Sequence, residues 1–105
     1  MSVCSGSLLL AAAGLLDDRR ATTNKMFFAE IAAAVPRVEW VRQARWVEDG
    51  RFFTSSGVSA GIDMALAVIA KLFGEKTSED VALATEYDWH RDAAWYPFAG
   101  KHGLV

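Results

Sequence analysis

Helical and extended periods alternate along this chain, and that alternation predicts an α/β fold. Two further observations agree with it. Asp49-Gly50, set between β-rich runs, is a strong hairpin signal. A length of 105 residues at 52% hydrophobic content suffices for one small domain with a buried core. With 11 basic and 13 acidic side chains, a net charge of −2 and no long single-sign run, the chain offers no footprint for a nucleic-acid backbone. The same figures exclude a disordered or collagen-like chain.

Ser5 to Leu16 reads as a helix, with Leu8, Leu9, Ala12, Ala13 and Leu16 at three- and four-residue spacing. Ala11 makes its surface apolar nearly all round, so burial is expected, and Gly14 is a stop near its end. Arg20-Ala21-Thr22-Thr23 is a short strand. Thr23 or Asn24 caps a second helix over Lys25 to Val35, which Pro36 ends. Val38-Glu39-Trp40-Val41 and Arg45-Trp46-Val47-Glu48 read as strands, and Arg51-Phe52-Phe53-Thr54 completes the hairpin. The Phe52-Phe53 pair implies cover on both faces. Trp40 and Trp46 are expected to pack together on one face of the hairpin. Ser55 to Ser59 is a tight loop opening a long helix, striped by Ile62, Leu66, Ile69 and Phe73 and closed by Gly74. A last helix starts at Thr77, with Asp80 as its capping-box-like partner, and runs to about Tyr87. Residues 89–105 form an aromatic arm carrying Trp89, Trp95, Tyr96 and Phe98, suited to pack on the domain or on a second copy.

One cysteine, Cys4, cannot form an internal disulfide, and two histidines without a second cysteine leave no zinc-ligand spacing. No metal and no cofactor is expected, and no Gly-rich loop with an adjacent lysine is present to cradle phosphate. The apolar run Leu8 to Leu16 is too short for a membrane span, which takes about 20 residues. No lysine or arginine precedes it, and Asp17, Asp18, Arg19 and Arg20 follow at once, unlike a secretory leader. A cytoplasmic protein without membrane contact is the expectation.

The chemistry is carried by Ser2-Val3-Cys4-Ser5-Gly6, directly before an apolar helix. A nucleophile on a sharp turn opening a helix gains from the positive helix end, which favours a thiolate over a thiol. Gly6 permits the turn, and the N–H of Ser5 is placed to stabilise an oxyanion. Gly57 and Gly61 serve turn geometry and close backbone approach near Cys4. A lone cysteine is equally at home as a small buried hydrophobe. Asp63 reads as a first-turn acid favourable to the helix dipole rather than as a catalytic acid. His90 and His102 read as solvated or hydrogen-bonded imidazoles. His90 serves Cys4 as a base only if the arm folds back over it.

Cys4-Ser5-Gly6-Ser7-Leu8-Leu9-Leu10-Ala11, Ala13-Gly14-Leu15-Leu16-Asp17, Arg20-Ala21-Thr22-Thr23 and Thr54-Ser55-Ser56-Gly57-Val58-Ser59-Ala60-Gly61-Ile62-Asp63 occur in one order. Together they resemble the ThiJ/PfpI superfamily, whose fold is class I glutamine amidotransferase-like. Within it they are most similar to the branch of isonitrile hydratases and the amidase-like domains of AraC-type regulators. The resemblance covers Ser2 to Tyr87. It implies part of a doubly wound, mainly parallel, flavodoxin-like sheet flanked by helices, with the hairpin as an insertion and a nucleophile elbow at Cys4. Residues 1–88 are then the C-terminal part of such a domain, followed by the arm.

Many members of that family carry a histidine where Asn24 stands. Asparagine can orient a group or donate a hydrogen bond, but it cannot act as a general base. The hydratase-like branch instead uses an acidic side chain of the first strand with a hydroxyl beside the cysteine, a role that falls here to Ser5. In the family the elbow lies midway along a domain about twice this length, a usual domain size. The chain is therefore expected to be a C-terminal half or a truncated remnant, with Cys4 on a fraying terminus. The resemblance implies a cofactor-free hydratase or hydrolase acting on a small nitrogen-containing molecule such as an isonitrile or an amide. The alternatives are a truncated, non-catalytic fragment and an oxidative-stress sensor in which Cys4 is oxidised. Expected partners are a small-molecule substrate and either a second copy, as a homodimer, or a complementary N-terminal half.

Overall fold

In a computed structural model describing residues 1–105, a 3-10 turn over Cys4–Gly6 leads into nine elements. These are α1 (Ser7–Ala12), β1 (Arg20–Ala21), α2 (Phe28–Ala34), β2 (Glu39–Trp40), β3 (Trp46–Asp49), β4 (Phe52–Ser55), α3 (Ser59–Phe73), α4 (Glu75–Ala84) and α5 (Pro97–Lys101). β1 and β2 are parallel, pairing Arg20 with Glu39 and Ala21 with Trp40. β3 and β4 form the expected hairpin, pairing Trp46 with Ser55 and Asp49 with Phe52. Its turn residues are Gly50 and Arg51, and Gly50 takes a φ of +59°, which glycine adopts freely.

The first residues of the chain run parallel to β4. Ser2 N–H donates to Phe53 O at 2.9 Å and Ser55 N–H to Ser2 O at 3.0 Å. Cys4 N–H then donates to Ser56 O at 3.2 Å. Cys4 is therefore pinned by backbone pairing, contrary to the expectation of a fraying terminus. Thr22 N–H reaches Thr54 Oγ1 at 2.9 Å and ties β1 to the same strand.

Local chemistry moves several expected boundaries. Gly14, at φ +79°, stops the first helix at Ala12, short of the expected Leu16. The chain then turns back and buries Leu16 with Ala11, Ala21 and Val38. All-round burial of that helix does not occur: Leu9 is 76% exposed, because no element covers its outer side. The second helix begins at Phe28 rather than Lys25, since Asn24 Oδ1 accepts the Phe27 N–H at 3.2 Å and holds 24–27 as a turn. α4 begins at Glu75, directly after Gly74 at φ +99°. Thr77 is no cap: its hydroxyl bonds back to Phe73 O at 3.2 Å, while Asp80 pairs with Lys76.

Phe52 and Phe53 face opposite clusters, as their adjacency implied. Phe52 packs on the Leu16 cluster with the Arg19 guanidinium 4.6 Å from its ring, and Phe53 packs with Trp46 and Met64. Trp40 and Trp46 do not meet across a hairpin, because β2 pairs with β1 instead of β3. Trp40 meets Phe28 edge-on, with centroids 6.4 Å apart, and donates to Val35 O at 2.9 Å. The C-terminal arm packs on the chain itself: Trp89 Nε1 donates to Asp63 O at 3.1 Å, and Arg45 N–H to Ala93 O at 2.7 Å. No helix is long and apolar enough to cross a membrane.

Candidate active site

Cys4 has a left-handed backbone, φ +58°, at the junction between the β4-paired residues and the 3-10 turn. Bulky L-residues rarely adopt that conformation, and at functional sites it presents a side chain that an extended strand would not. Asp18 and Glu86 share it, so the conformation alone does not mark a site. The partners of Cys4 do. Its carbonyl accepts from Thr23 Oγ1 at 3.0 Å and from Ser7 Oγ at 3.4 Å, fixing the peptide from both sides. Its Sγ lies 3.1 Å from Asn24 Nδ2. The Phe27 N–H already occupies Asn24 Oδ1, so the amide presents its donor end to the sulfur.

Gly57 makes this contact possible, since a Cβ there would lie 3.0 Å from Asn24 Nδ2. Its carbonyl accepts from Tyr96 Oη at 3.2 Å, which brings the arm over the same loop. Gly61 serves close approach: a Cβ there would stand 2.6 Å from Val3 Cγ1. Gly6, by contrast, has the ordinary helical φ of −58°, and a Cβ would meet Ser2 at a comfortable 3.6 Å. The unusual conformation of the turn thus falls on Cys4 itself. Ser5 is exposed, beside Cys4 on the outer side of the turn.

A cavity of about 380 Å³ opens between this loop and the arm. Asn24, Lys25, Ser56, Gly57, Val58 and Ser59 form one side, and Ile62, Tyr96, Phe98 and His102 much of the other. Cys4 does not itself line it, but Asn24, which is bonded to the Cys4 sulfur, does. Lys25 is only 3% exposed. Its Nζ donates to Thr22 Oγ1 at 2.6 Å and to Thr23 O at 3.4 Å. Burial lowers its pKa from 10.5 to about 7, because no carboxylate is placed to compensate the charge. Ser56 is fully buried and its hydroxyl has no hydrogen-bond partner.

Asp63 is fully buried, where the sequence suggested a first-turn acid. Its carboxylate accepts from Arg45 Nη1 at 3.2 Å, Tyr87 Oη at 2.9 Å and His90 N–H at 2.9 Å. It is the anchor of the arm. Burial, then the Asp63 hydrogen bond and charge, raise the Tyr87 pKa to about 12. His90 lies at this anchor, lines a second cavity with Asp63 and sets its Nδ1 3.0 Å from Asp88 O; the side chain at the Cys4 sulfur is Asn24, not His90. His102, not His90, is the histidine that the arm brings to the first cavity.

Lys25, Ser56, Tyr96 and His102 were not singled out from the sequence as site residues. Ser56 stood within the Thr54–Asp63 run and Tyr96 and His102 within the arm, while Lys25 is a charge set directly before the apolar run Met26-Phe27-Phe28. No three His, Cys, Asp or Glu side chains converge as a metal site requires.

Residues 1–71 match the model of the DJ-1/PfpI family. An isonitrile hydratase of Pseudomonas putida is 43% identical over 88 residues, covering 82% of this chain and 36% of that protein. The transcriptional regulator GlxA of Rhizobium meliloti is 37% identical over 92 residues, covering 88% of this chain and 26% of the regulator. The chain thus spans between a quarter and just over a third of the length of these relatives. A ThiJ/PfpI family protein from Pseudomonas syringae superposes with a TM-score of 0.73 at 37% identity, over 85% of this chain and 36% of that one. With its helices, strands and turn matching that fold over most of its length, the chain belongs to the DJ-1/PfpI family.

Proposed function

We propose that Cys4 is the nucleophile of a cofactor-free hydratase or hydrolase acting on a small nitrogen-containing molecule such as an isonitrile or an amide. One observation carries this reading: a left-handed Cys4 whose Sγ receives the donor end of Asn24 at 3.1 Å. A donor aimed at sulfur holds it in a defined attack position, which positioning catalysis needs. The similarity to isonitrile hydratase supplies the substrate class. The thiolate adds to the electrophilic carbon, forming a C–S bond; with an isonitrile the proton goes to that same carbon, giving a thioimidate, and with an amide it goes to the nitrogen that departs as the C–N bond breaks, giving a thioester. Water then displaces the sulfur, which regenerates the thiolate and leaves the formamide from an isonitrile, or the acid and amine from an amide. Ser5, beside Cys4 on the exposed side, carries the proton through its hydroxyl and steadies the adduct with its N–H.

A second reading, a non-catalytic ligand-binding domain, is favoured by the identity of the group at sulfur. Asn24 cannot accept a proton from Cys4. Turnover of an aryl isonitrile by the wild-type chain and by Cys4→Ser decides between them. Loss of turnover in the variant supports the nucleophile; no turnover by either chain favours the ligand-binding domain.

A further inference from the structure

We propose that the cavity between the Ser56–Ser59 loop and the arm is a binding site for a small molecule with an apolar body and a carboxylate, with Lys25 as its counter-charge. The inference deepens the reading of Cys4 as nucleophile, on which its link to turnover rests, but ligand binding at this site is a separate property.

The lining is one-sided in charge. Lys25 and His102 are basic, and no aspartate or glutamate lines the cavity, although the chain as a whole carries a net charge of −2. Lys25 is a buried cation whose two partners are a hydroxyl and a carbonyl. Thr22 Oγ1 gives its own proton to Val41 O at 2.7 Å, so it accepts from the ammonium, and one of the three ammonium protons remains unassigned. With no anion beside it, burial favours the neutral amine, and a bound carboxylate would favour its charged form.

Other donors in the same lining also lack acceptors. Ser56 Oγ is fully buried and unpartnered. The N–H of half-buried Gly57, just before the 15-residue α3, also finds no acceptor in the chain. Unpaired donors and a buried amine without a carboxylate partner favour an oxyanion. The opposite wall calls for an apolar body: Ile62, Phe98 and the ring of Tyr96 face it, and about 380 Å³ holds a molecule of roughly ten heavy atoms, within the range of small-ligand sites.

The test uses phenylacetate and its neutral isostere phenylacetamide as probes, with affinities read by NMR titration of the full chain carrying Cys4→Ala, so that nothing is turned over. Phenylacetate is expected to bind at least tenfold more tightly than phenylacetamide. Lys25→Met is expected to remove most of that ratio while leaving phenylacetamide within twofold. Equal affinities for the two probes, no binding of phenylacetate at millimolar concentration, or a ratio untouched by Lys25→Met overturns the proposal. Should Lys25→Met fail to fold, Ser56→Ala, which adds no volume, is expected to lower phenylacetate affinity at least threefold, and an unchanged affinity overturns the proposal equally. The reading of Cys4 fails separately, by turnover that survives Cys4→Ser in the otherwise wild-type chain.

Discussion

Cys4 keeps a left-handed backbone at a cost of roughly 1–2 kcal/mol, and it is held there by hydrogen bonds from the Thr23 and Ser7 hydroxyls to its carbonyl and from its N–H to Ser56 O. Asn24 is the one side chain bonded to its sulfur. A hydrogen bond to a charged group contributes about 1.5–3 kcal/mol, so Asn24→Leu is expected to slow Cys4 alkylation by iodoacetamide about 10–100-fold. An unchanged alkylation rate removes Asn24 from the site. Lys25 gives a second expectation, in stability. Between pH 7 and 10.5 the unfolded chain holds a proton on this lysine that the folded chain lacks, so its term makes the fold more stable as pH rises through that window. Tyr87 acts oppositely and higher, where stability present below its usual 10.0 is lost as pH rises to about 12. Urea midpoints measured from pH 7 to about 9.5 should therefore climb more steeply in wild type than in Lys25→Met. Parallel slopes contradict the assignment. Cys4, Asn24 and Gly57 were legible in the sequence because their neighbours along the chain shape them. Lys25, Ser56 and His102 were not, because the cavity that gathers them is closed by a segment some 40 residues or more beyond Ser56.

At the level of elements, sequence periodicity found every strand and four of the five helices, while the ends were set by single residues that periodicity does not weigh. Gly14 shortened α1, and Asn24 delayed α2. α5 escaped notice because its five residues hold barely one turn. Gly74 offers a clean check on such control. Nothing lies within 4 Å of a Cβ built there, so Gly74→Ala meets only the strain of φ +99°. A loss of about 1–2 kcal/mol is expected in thermal unfolding; a neutral substitution means the α3–α4 junction relaxes. Asp63 governs a larger joint. Asp63→Ala leaves Arg45 buried without its anion and frees Tyr87 and His90, so a loss of about 3–5 kcal/mol is expected. Trp89 lies between Tyr87 and His90, and although its own bond is to the Asp63 backbone carbonyl, loosening of those two neighbours should red-shift tryptophan emission before global unfolding. If emission and circular dichroism change together in Asp63→Ala, the arm is not held through that carboxylate.

Over the whole molecule, seven of the sixteen buried apolar residues gather in two clusters, four around Leu16 and three around Trp46, in a slab 39 × 28 × 17 Å. A slab this thin has little interior relative to its faces, so its stability is drawn from few contacts. Its faces carry much apolar surface. Leu72 and Phe73 at the end of α3 are 66% and 70% exposed, and Leu83 on α4 is 79% exposed. β2 has β1 on one side and no strand on the other, an edge that recruits further pairing. Apolar patches of this kind and an open edge favour association, and a net charge of −2 opposes it only weakly. The chain in solution is therefore expected to show a mass that rises above 11.5 kDa with concentration in sedimentation equilibrium. Leu72→Glu combined with Leu83→Lys should return the mass toward the monomer without changing the far-ultraviolet spectrum. A constant 11.5 kDa species with a sharp melt at every concentration rejects this expectation, and shows that two small clusters and the Asp63 anchor suffice to hold the fold alone.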